Sequence, residues 1–186
     1  DAYDSAAAEM AIIYGHRRIG KTALIQKFCK GKPTFFYTAK AWKDPYQLDR
    51  FSQAVGTFCG NPQLRYLEWT SALRALATQP SPARKVIVID EFQYIAKERP
   101  SILSELQALW DEELSRENIL LVLCGSAVSF IAKEVLGEKN PLYGRARTVM
   151  KVRPLPFQTV AEFVPSYSVD DVFRGYAVLG GIPYFW

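Results

Sequence analysis

Three stretches of the chain are apolar without interruption: residues 10–14 (Met-Ala-Ile-Ile-Tyr), 86–89 (Val-Ile-Val-Ile) and 119–124 (Ile-Leu-Leu-Val-Leu-Cys). A half-exposed strand alternates apolar and polar residues. A continuous run is the pattern of a strand buried on both faces of a parallel sheet. Thr34-Phe-Phe-Tyr-Thr38 is aromatic and β-prone, and residues 148–152 (Thr-Val-Met-Lys-Val) form a less apolar fifth candidate. Helical patterns lie between these runs. Asp44 reads as an N-cap, with Pro45 at the first helical position and Gln47 where a capping-box residue belongs. Ile102, Leu103, Leu106, Leu109, Trp110 and Leu114 share one face at helical spacing. Residues 127–136 predict a further helix closed by Gly137.

Strands alternating with helices predict an α/β sandwich around a parallel sheet. From Pro154 the pattern changes: residues 160–164 and 172–179 read as helices and no strand follows them. The expected division is a core over residues 1–155 and the beginning of a helical lid over 156–186. The chain ends on an apolar run, Ile182-Pro-Tyr-Phe-Trp186, so the lid reads as cut short, and residues 1–8 read as the tail of a helix.

Gly15-His-Arg-Arg-Ile-Gly-Lys-Thr22 matches G-x-x-x-x-G-K-[ST] in full and sits between a predicted buried strand and a helix. Glycines let such a loop curl so that its backbone N–H groups face phosphates, and the helix N-terminus adds partial positive charge. Gly15, His16, Arg17, Arg18, Ile19, Gly20, Lys21, Thr22 and Ala23 are therefore the candidate nucleotide-binding residues. Lys21 is expected to reach the β- and γ-phosphates and Thr22 to ligate Mg²⁺. His16, Arg17 and Arg18 hold the free positions of the loop and are read chiefly as solvated.

The run 86–89 ends in Asp90-Glu91. Acids at the carboxyl end of a buried parallel strand stand where ligands of such sheets bind. Asp90 is expected to hold the Mg²⁺ shell and Glu91 to polarise an attacking water as general base. Were Glu91 only structural, Gln93 or Ser126 would be next to position the water. Adjacent acids favour hydrolysis by water over transfer to a substrate hydroxyl. Ser126, after the run 119–124, has two compatible readings: it senses the γ-phosphate or orients the water, or it N-caps the helix beginning at Ala127.

Composition narrows the function class. Hydrophobic residues make up 49% and charged residues 23% of the 186, enough to bury a core. No apolar run reaches the roughly 18 residues of a membrane span, and the first ten residues lack the basic-then-apolar order of a secretory signal. Cys29, Cys59 and Cys124 are an odd count at spacings that suit neither a disulfide framework nor a zinc site, so a reducing, cytoplasmic setting is expected. Any histidine-based triad would rest on His16 alone. The net charge of +4 permits nucleic acid as a partner without arguing for it.

Several motifs occur in a fixed order: the Gly15–Thr22 loop, Ile89-Asp-Glu-Phe-Gln-Tyr-Ile95, Cys124-Gly-Ser126, Pro141-Leu-Tyr-Gly-Arg145 and Leu179-Gly-Gly-Ile-Pro-Tyr184. Together they resemble the prokaryotic ATPase-domain family of the AAA superfamily, grouped with the STAND signal-transduction ATPases and related to archaeal Orc/Cdc6-type initiators. The resemblance implies a P-loop three-layer fold with sheet order 5-1-4-3-2 and a helical lid. It implies ATP hydrolysis with Mg²⁺, resetting a conformational switch within a larger regulatory protein. It places Pro183, in Gly181-Ile-Pro183, against the adenine, and offers Arg145 as an arginine finger acting on a neighbouring subunit or within its own chain. ATP and ADP are the implied ligands. DNA contacted through regions outside this chain, and self-association, are the partner readings left open. The alternatives are a nucleotide-gated module with negligible turnover and a DNA-remodelling ATPase.

Overall fold

The computed structural model describes residues 2–186. Five parallel strands form one sheet: β1 (Glu9–Tyr14), β2 (Thr34–Thr38), β3 (Lys85–Asp90), β4 (Ile119–Gly125) and β5 (Thr148–Lys151), ordered β2-β3-β4-β1-β5. This is the order 5-1-4-3-2 read from the opposite edge. The helices are α1 (Lys21–Cys29), α2 (Asp44–Phe58), α3 (Trp69–Thr78), α4 (Gln93–Glu98), α5 (Ile102–Glu112), α6 (Val128–Phe130), α7 (Phe157–Phe163) and α8 (Val169–Leu179).

Why the three uninterrupted runs are uninterrupted is visible in the burial. Every residue of β3 and β4 is buried. Met10, Ile12, Ile87, Ile89, Leu121 and Leu123 face the core beneath α2, α3 and α5. Their neighbours Ala11, Val86, Val88, Leu120 and Val122 face the opposite core, with Ile25 and Cys29 of α1. Each large apolar side chain among them contributes about 1.5–3 kcal/mol by leaving water. Aromatic edges add to the larger core: Phe51 of α2 meets Phe35 and Tyr37 of β2 edge-on, at 5.7 and 5.1 Å between centroids.

The structure corrects four local expectations. Helix α2 is capped by Lys43, not Asp44. Asp44 lies just inside the helix and accepts from Trp69 Nε1 at 2.8 Å and Arg99 Nη1 at 3.1 Å, while Gln47 is buried against the Lys40 backbone. Tertiary donors thus claim the groups that sequence assigns to a capping box. Residues 2–8 form no helix, because Arg84 takes the carbonyls of Ala2, Tyr3 and Ala7 as acceptors; position 1 lies outside the described residues. The helix predicted over 127–136 is α6 followed by a π-helical turn, Ile131–Val135, in which Leu136 N bonds Ile131 O at 2.9 Å. Ser126 does not cap it; Ala127 occupies the cap with no side-chain bond.

Helices α7 and α8 pack on each other through Phe157, whose ring meets Phe173 and Tyr176 edge-on. Their seat is the chain leaving β5. Val152 N bonds Tyr14 O at 2.7 Å, Leu155 N bonds Gly181 O at 2.7 Å, and Tyr176 Oη donates to Leu155 O at 3.0 Å. The approach at Gly181 is so close that a Cβ there would lie 1.8 Å from Leu155 O. Among the described residues, no helix is long and apolar enough to cross a membrane.

One buried cation serves the scaffold. Lys85 is 2% exposed, and its Nζ donates to the carbonyls of Leu76, Ala77 and Gln79, closing the C-terminal end of α3. Burial holds its ammonium below the usual lysine range. Lys85→Met keeps the stem and removes the donors. It should cost roughly 2–4 kcal/mol, read as a lower urea midpoint at unchanged slope.

Candidate nucleotide site

The parallel register brings the carboxyl ends of β1, β3 and β4 to one edge of the sheet, with Tyr14 beside Gly125 and Ile89 beside Leu123. The segments that leave these ends are the Gly15–Gly20 loop, Asp90-Glu91 and Ser126. The loop begins at Gly15 because nothing larger fits: a Cβ there would lie 2.5 Å from Val152 O. It ends at Gly20, whose φ of 93° is left-handed, a region that glycine enters without steric cost.

Helix α1 opens at Gly20 with no side-chain cap and no acid in its first turn, among the described residues. Its first N–H groups are therefore free to meet an anion, assisted by the helix dipole. Lys21 is 5% exposed, and its Nζ donates to Gly15 O and His16 O at 2.9 Å each, which holds the ammonium at the mouth of the loop. Thr22 Oγ1 donates to Asp90 Oδ2 at 2.8 Å, so the loop and the acidic strand end are directly joined. Asp90 Oδ1 accepts from Glu91 N at 2.9 Å. Glu91 itself has a φ of 55°, an unusual value for a residue with a Cβ. Its Oε2 accepts from Ser126 Oγ at 2.6 Å and from Gln93 Nε2.

A cleft of about 670 Å³ lies over these groups, lined by Arg17, Arg18, Gly20, Lys21, Thr22, Ala23, Glu91, Pro183 and Tyr184. It has the size and the mixed polar and apolar lining of a small-molecule site. Pro183 and Tyr184 close one side of it from a short 3₁₀ turn (Pro183–Phe185). Arg18, at a φ of 66°, places its guanidinium 4.4 Å from the Tyr184 ring centre, within cation–π range.

The structure thus brings together Lys21, Thr22, Asp90, Glu91, Ser126 and Pro183, which are far apart in sequence. The three free positions of the loop, His16, Arg17 and Arg18, are all exposed, as the sequence reading has them. Arg17 donates to the Tyr94 hydroxyl and Arg18 lies on Tyr184. Ile19 is buried, and His16 faces a separate cleft beside Lys97 and Phe130. Arg145 is not in the site. Its guanidinium is bound in a fork to Asp111 on α5, at 2.8 and 2.6 Å, and it donates to Pro141 O at 2.8 Å. The fork holds the Asp111 carboxyl below the usual aspartate range.

Two site residues escaped the sequence reading. Tyr184 adjoins Pro183 in a run that reads as apolar core. Tyr94 lies inside the Ile89–Ile95 motif, but only the fold turns it toward the loop. Gln93, which sequence offers as a substitute for Glu91, is instead bonded to it. Burial, and then the Asp90 carboxylate, push the Cys124 thiol far above the usual range, and burial also raises Cys29 and Cys59.

The site residues fit a small divalent cation. Thr22 and Asp90 offer hard oxygen donors on one spot. Among the described residues no group of three or more His, Cys, Asp or Glu could cage a metal. Few protein ligands plus phosphate is the preference of Mg²⁺.

A family model described as an ATPase domain predominantly from Archaea matches residues 2–185. An uncharacterized protein of Methanocaldococcus jannaschii is 33% identical over 184 residues, covering 98% of this chain and 39% of its own length. The chain therefore spans about two-fifths of that relative. A Walker-type ATPase of Pyrococcus abyssi superposes with a TM-score of 0.73 at 18% identity, over 94% of this chain and 59% of that one. The Aeropyrum pernix Orc1 protein, solved in complex with DNA, gives 0.58 at 17% identity, over 85% of this chain and 43% of that one. At such identities these structures establish the P-loop ATPase fold.

Lys21→Ala removes the ammonium at the loop mouth. It should weaken ATP binding ten- to a hundred-fold, or about 1.5–3 kcal/mol, measured by calorimetry against the parent protein.

Proposed function

The chain belongs to the ATPase-domain family found predominantly in Archaea, and from this we propose that it binds ATP in the cleft above the phosphate loop and hydrolyses it with Mg²⁺. The observation that carries the reading is the 2.8 Å bond between Thr22 and Asp90. It joins a complete phosphate loop to an acidic strand end, with the buried Lys21 on one side and Glu91 on the other.

Each group has a task set by its chemistry. The α1 N–H groups and Lys21 bind the phosphates and neutralise their charge. Thr22 and Asp90 would hold Mg²⁺, which supplies further charge neutralisation on the phosphoryl oxygens. Glu91 accepts a proton from water as the water oxygen bonds the γ-phosphorus. The bond from that phosphorus to the bridging oxygen breaks, leaving ADP and phosphate. Ser126 holds Glu91 in place. Pro183 and Tyr184 meet the nucleotide from the lid side, so release of phosphate is coupled to the position of α7 and α8. We take residues 1–155 as the catalytic core and 156–186 as the beginning of this lid, and the coupled movement as the regulatory switch.

The Aeropyrum pernix Orc1 protein, which shares the fold, was solved bound to DNA. Here the basic stretch from Lys139 to Arg153 is partly engaged internally: Arg145 pairs with Asp111 and Arg147 with Glu9. We therefore place any DNA contact in regions outside this chain.

Glu91→Gln keeps the shape of the side chain and cannot take the proton. It should retain ATP binding and lose about 10²–10⁴ in turnover, followed as phosphate release in a single turnover. Undiminished turnover would refute the base assignment, and negligible turnover by the parent, full-length protein would favour a nucleotide-gated module instead.

Arg145 can act as a finger only by leaving Asp111 and reaching a neighbouring copy. On that reading Arg145→Ala should cut turnover, by about 10³-fold or more for an established finger, while ATP affinity stays within a few-fold. Mixing Arg145→Ala with Lys21→Ala protein should then restore part of the rate. No recovery on mixing excludes action in trans.

A further inference from the structure

Gln93 begins α4, two residues past Glu91, and is 2% exposed. Its amide nitrogen donates to Glu91 Oε2 and, at 3.3 Å, to Ser126 Oγ. Its amide oxygen is buried and has no hydrogen-bond partner among the described residues. A buried carbonyl without a donor destabilises a fold, and an apolar side chain of the same volume would fill the space without that cost. A Cβ on Gly125 would lie 2.7 Å from Gln93 Oε1 and 2.9 Å from Ile131 Cγ1 and Cδ1, so the glycine leaves room for both side chains. The unpartnered amide oxygen is not explained by packing.

The hydrogen bonds on Glu91 are one-sided. Ser126 and Gln93 both donate to Oε2, while Oε1 accepts none among the described residues. Glu91 also holds a left-handed backbone and lines the cleft. A carboxylate anchored through one oxygen presents the other in a fixed direction, which is what a general base needs before the reaction begins.

We propose that Gln93 is a positioning residue for hydrolysis: with Ser126 it saturates Glu91 Oε2, leaving Oε1 as the oxygen that receives the proton of the attacking water. This rests on the reading of Glu91 as the base. The proton moves from water to Oε1 as the water oxygen bonds phosphorus. Gln93 donates throughout and exchanges no proton with water or nucleotide. Ser126 alone is a single tether about which the carboxylate can swing, and the amide supplies the second.

The test is single-turnover hydrolysis and ATP binding in the full-length protein carrying Gln93→Met, with Gln93→Ala as the second variant should the first fold poorly. Each is made alone and together with Glu91→Gln. Loss of positioning predicts a turnover rate down about 10- to 100-fold, a KM within about threefold of the parent, and a melting temperature of Gln93→Met that does not fall. Combined with Glu91→Gln, either substitution should slow the reaction no further, because the group it orients is already disabled. A Gln93→Met protein with the parental rate overturns the proposal. So does an equal further loss in the Glu91→Gln background, since Gln93 would then act independently of Glu91. Full turnover in Glu91→Gln alone removes the base assignment itself. Inactive Glu91→Gln beside fully active Gln93 variants removes only the role of the amide.

Discussion

The parallel pairing of β1, β3 and β4 in one register is the constraint on which the rest of the molecule depends. It sets the ends of three strands, remote in sequence, along a single edge, with Tyr14 level with Gly125 and Ile89 level with Leu123. The phosphate loop, the acidic pair and Ser126 leave from those ends. Because side chains alternate across a sheet, a slip of one residue would exchange the two cores and move Asp90 away from Thr22. Both faces being apolar, the register rests on the fit of particular side chains in the two cores rather than on hydrophobicity alone. The site is thus held by backbone pairing, and its side chains are spared for chemistry.

Onto this edge the structure adds a small set of charges with unequal surroundings. Lys21 and Asp90 are both buried, and each is satisfied: the ammonium by two loop carbonyls, the carboxylate by Thr22 and the Glu91 amide. Glu91 is less enclosed and is steered by neutral donors. The cations that could compete for it are engaged elsewhere, Arg17 with the Tyr94 hydroxyl and Arg145 with Asp111. The turn at Pro183–Phe185 is fixed independently, by the bond from Leu155 to Gly181 and by Trp186 Nε1 donating to Gly180 O at 2.8 Å. Pro183 and Tyr184 therefore stand over the loop without contributing to the strength of the sheet.

Much of this was legible in the chain. The runs at 10–14, 86–89 and 119–124 mark β1, β3 and β4 because doubly buried strands carry no polar interruptions. Gly15, Gly20, Lys21 and Thr22 mark the loop, since few other residue types fulfil those backbone and phosphate tasks. The resemblance to the prokaryotic ATPase-domain family supplied the sheet order. The local readings that failed share a cause. The capping box at Asp44, the cap at Ser126 and the helix over residues 2–8 are short-range patterns whose polar groups found stronger partners across the fold: Trp69 and Arg99, Glu91, and Arg84.

Sequence alone therefore determined the strands, the loop and the residue types offered at the sheet edge, because periodicity and backbone tolerance are properties of neighbouring residues. Tertiary structure alone decided which of those groups meet. Gln93 turning onto Glu91, Tyr184 reaching Arg18, and Asp111 claiming Arg145 join positions 2, 166 and 34 residues apart. None of the three follows from residue type or spacing, since a hydrogen bond or ring contact is set by the directions in which separate elements are packed. The left-handed turn at Glu91, which aims its carboxylate at Ser126, is imposed in the same way by the strands on either side.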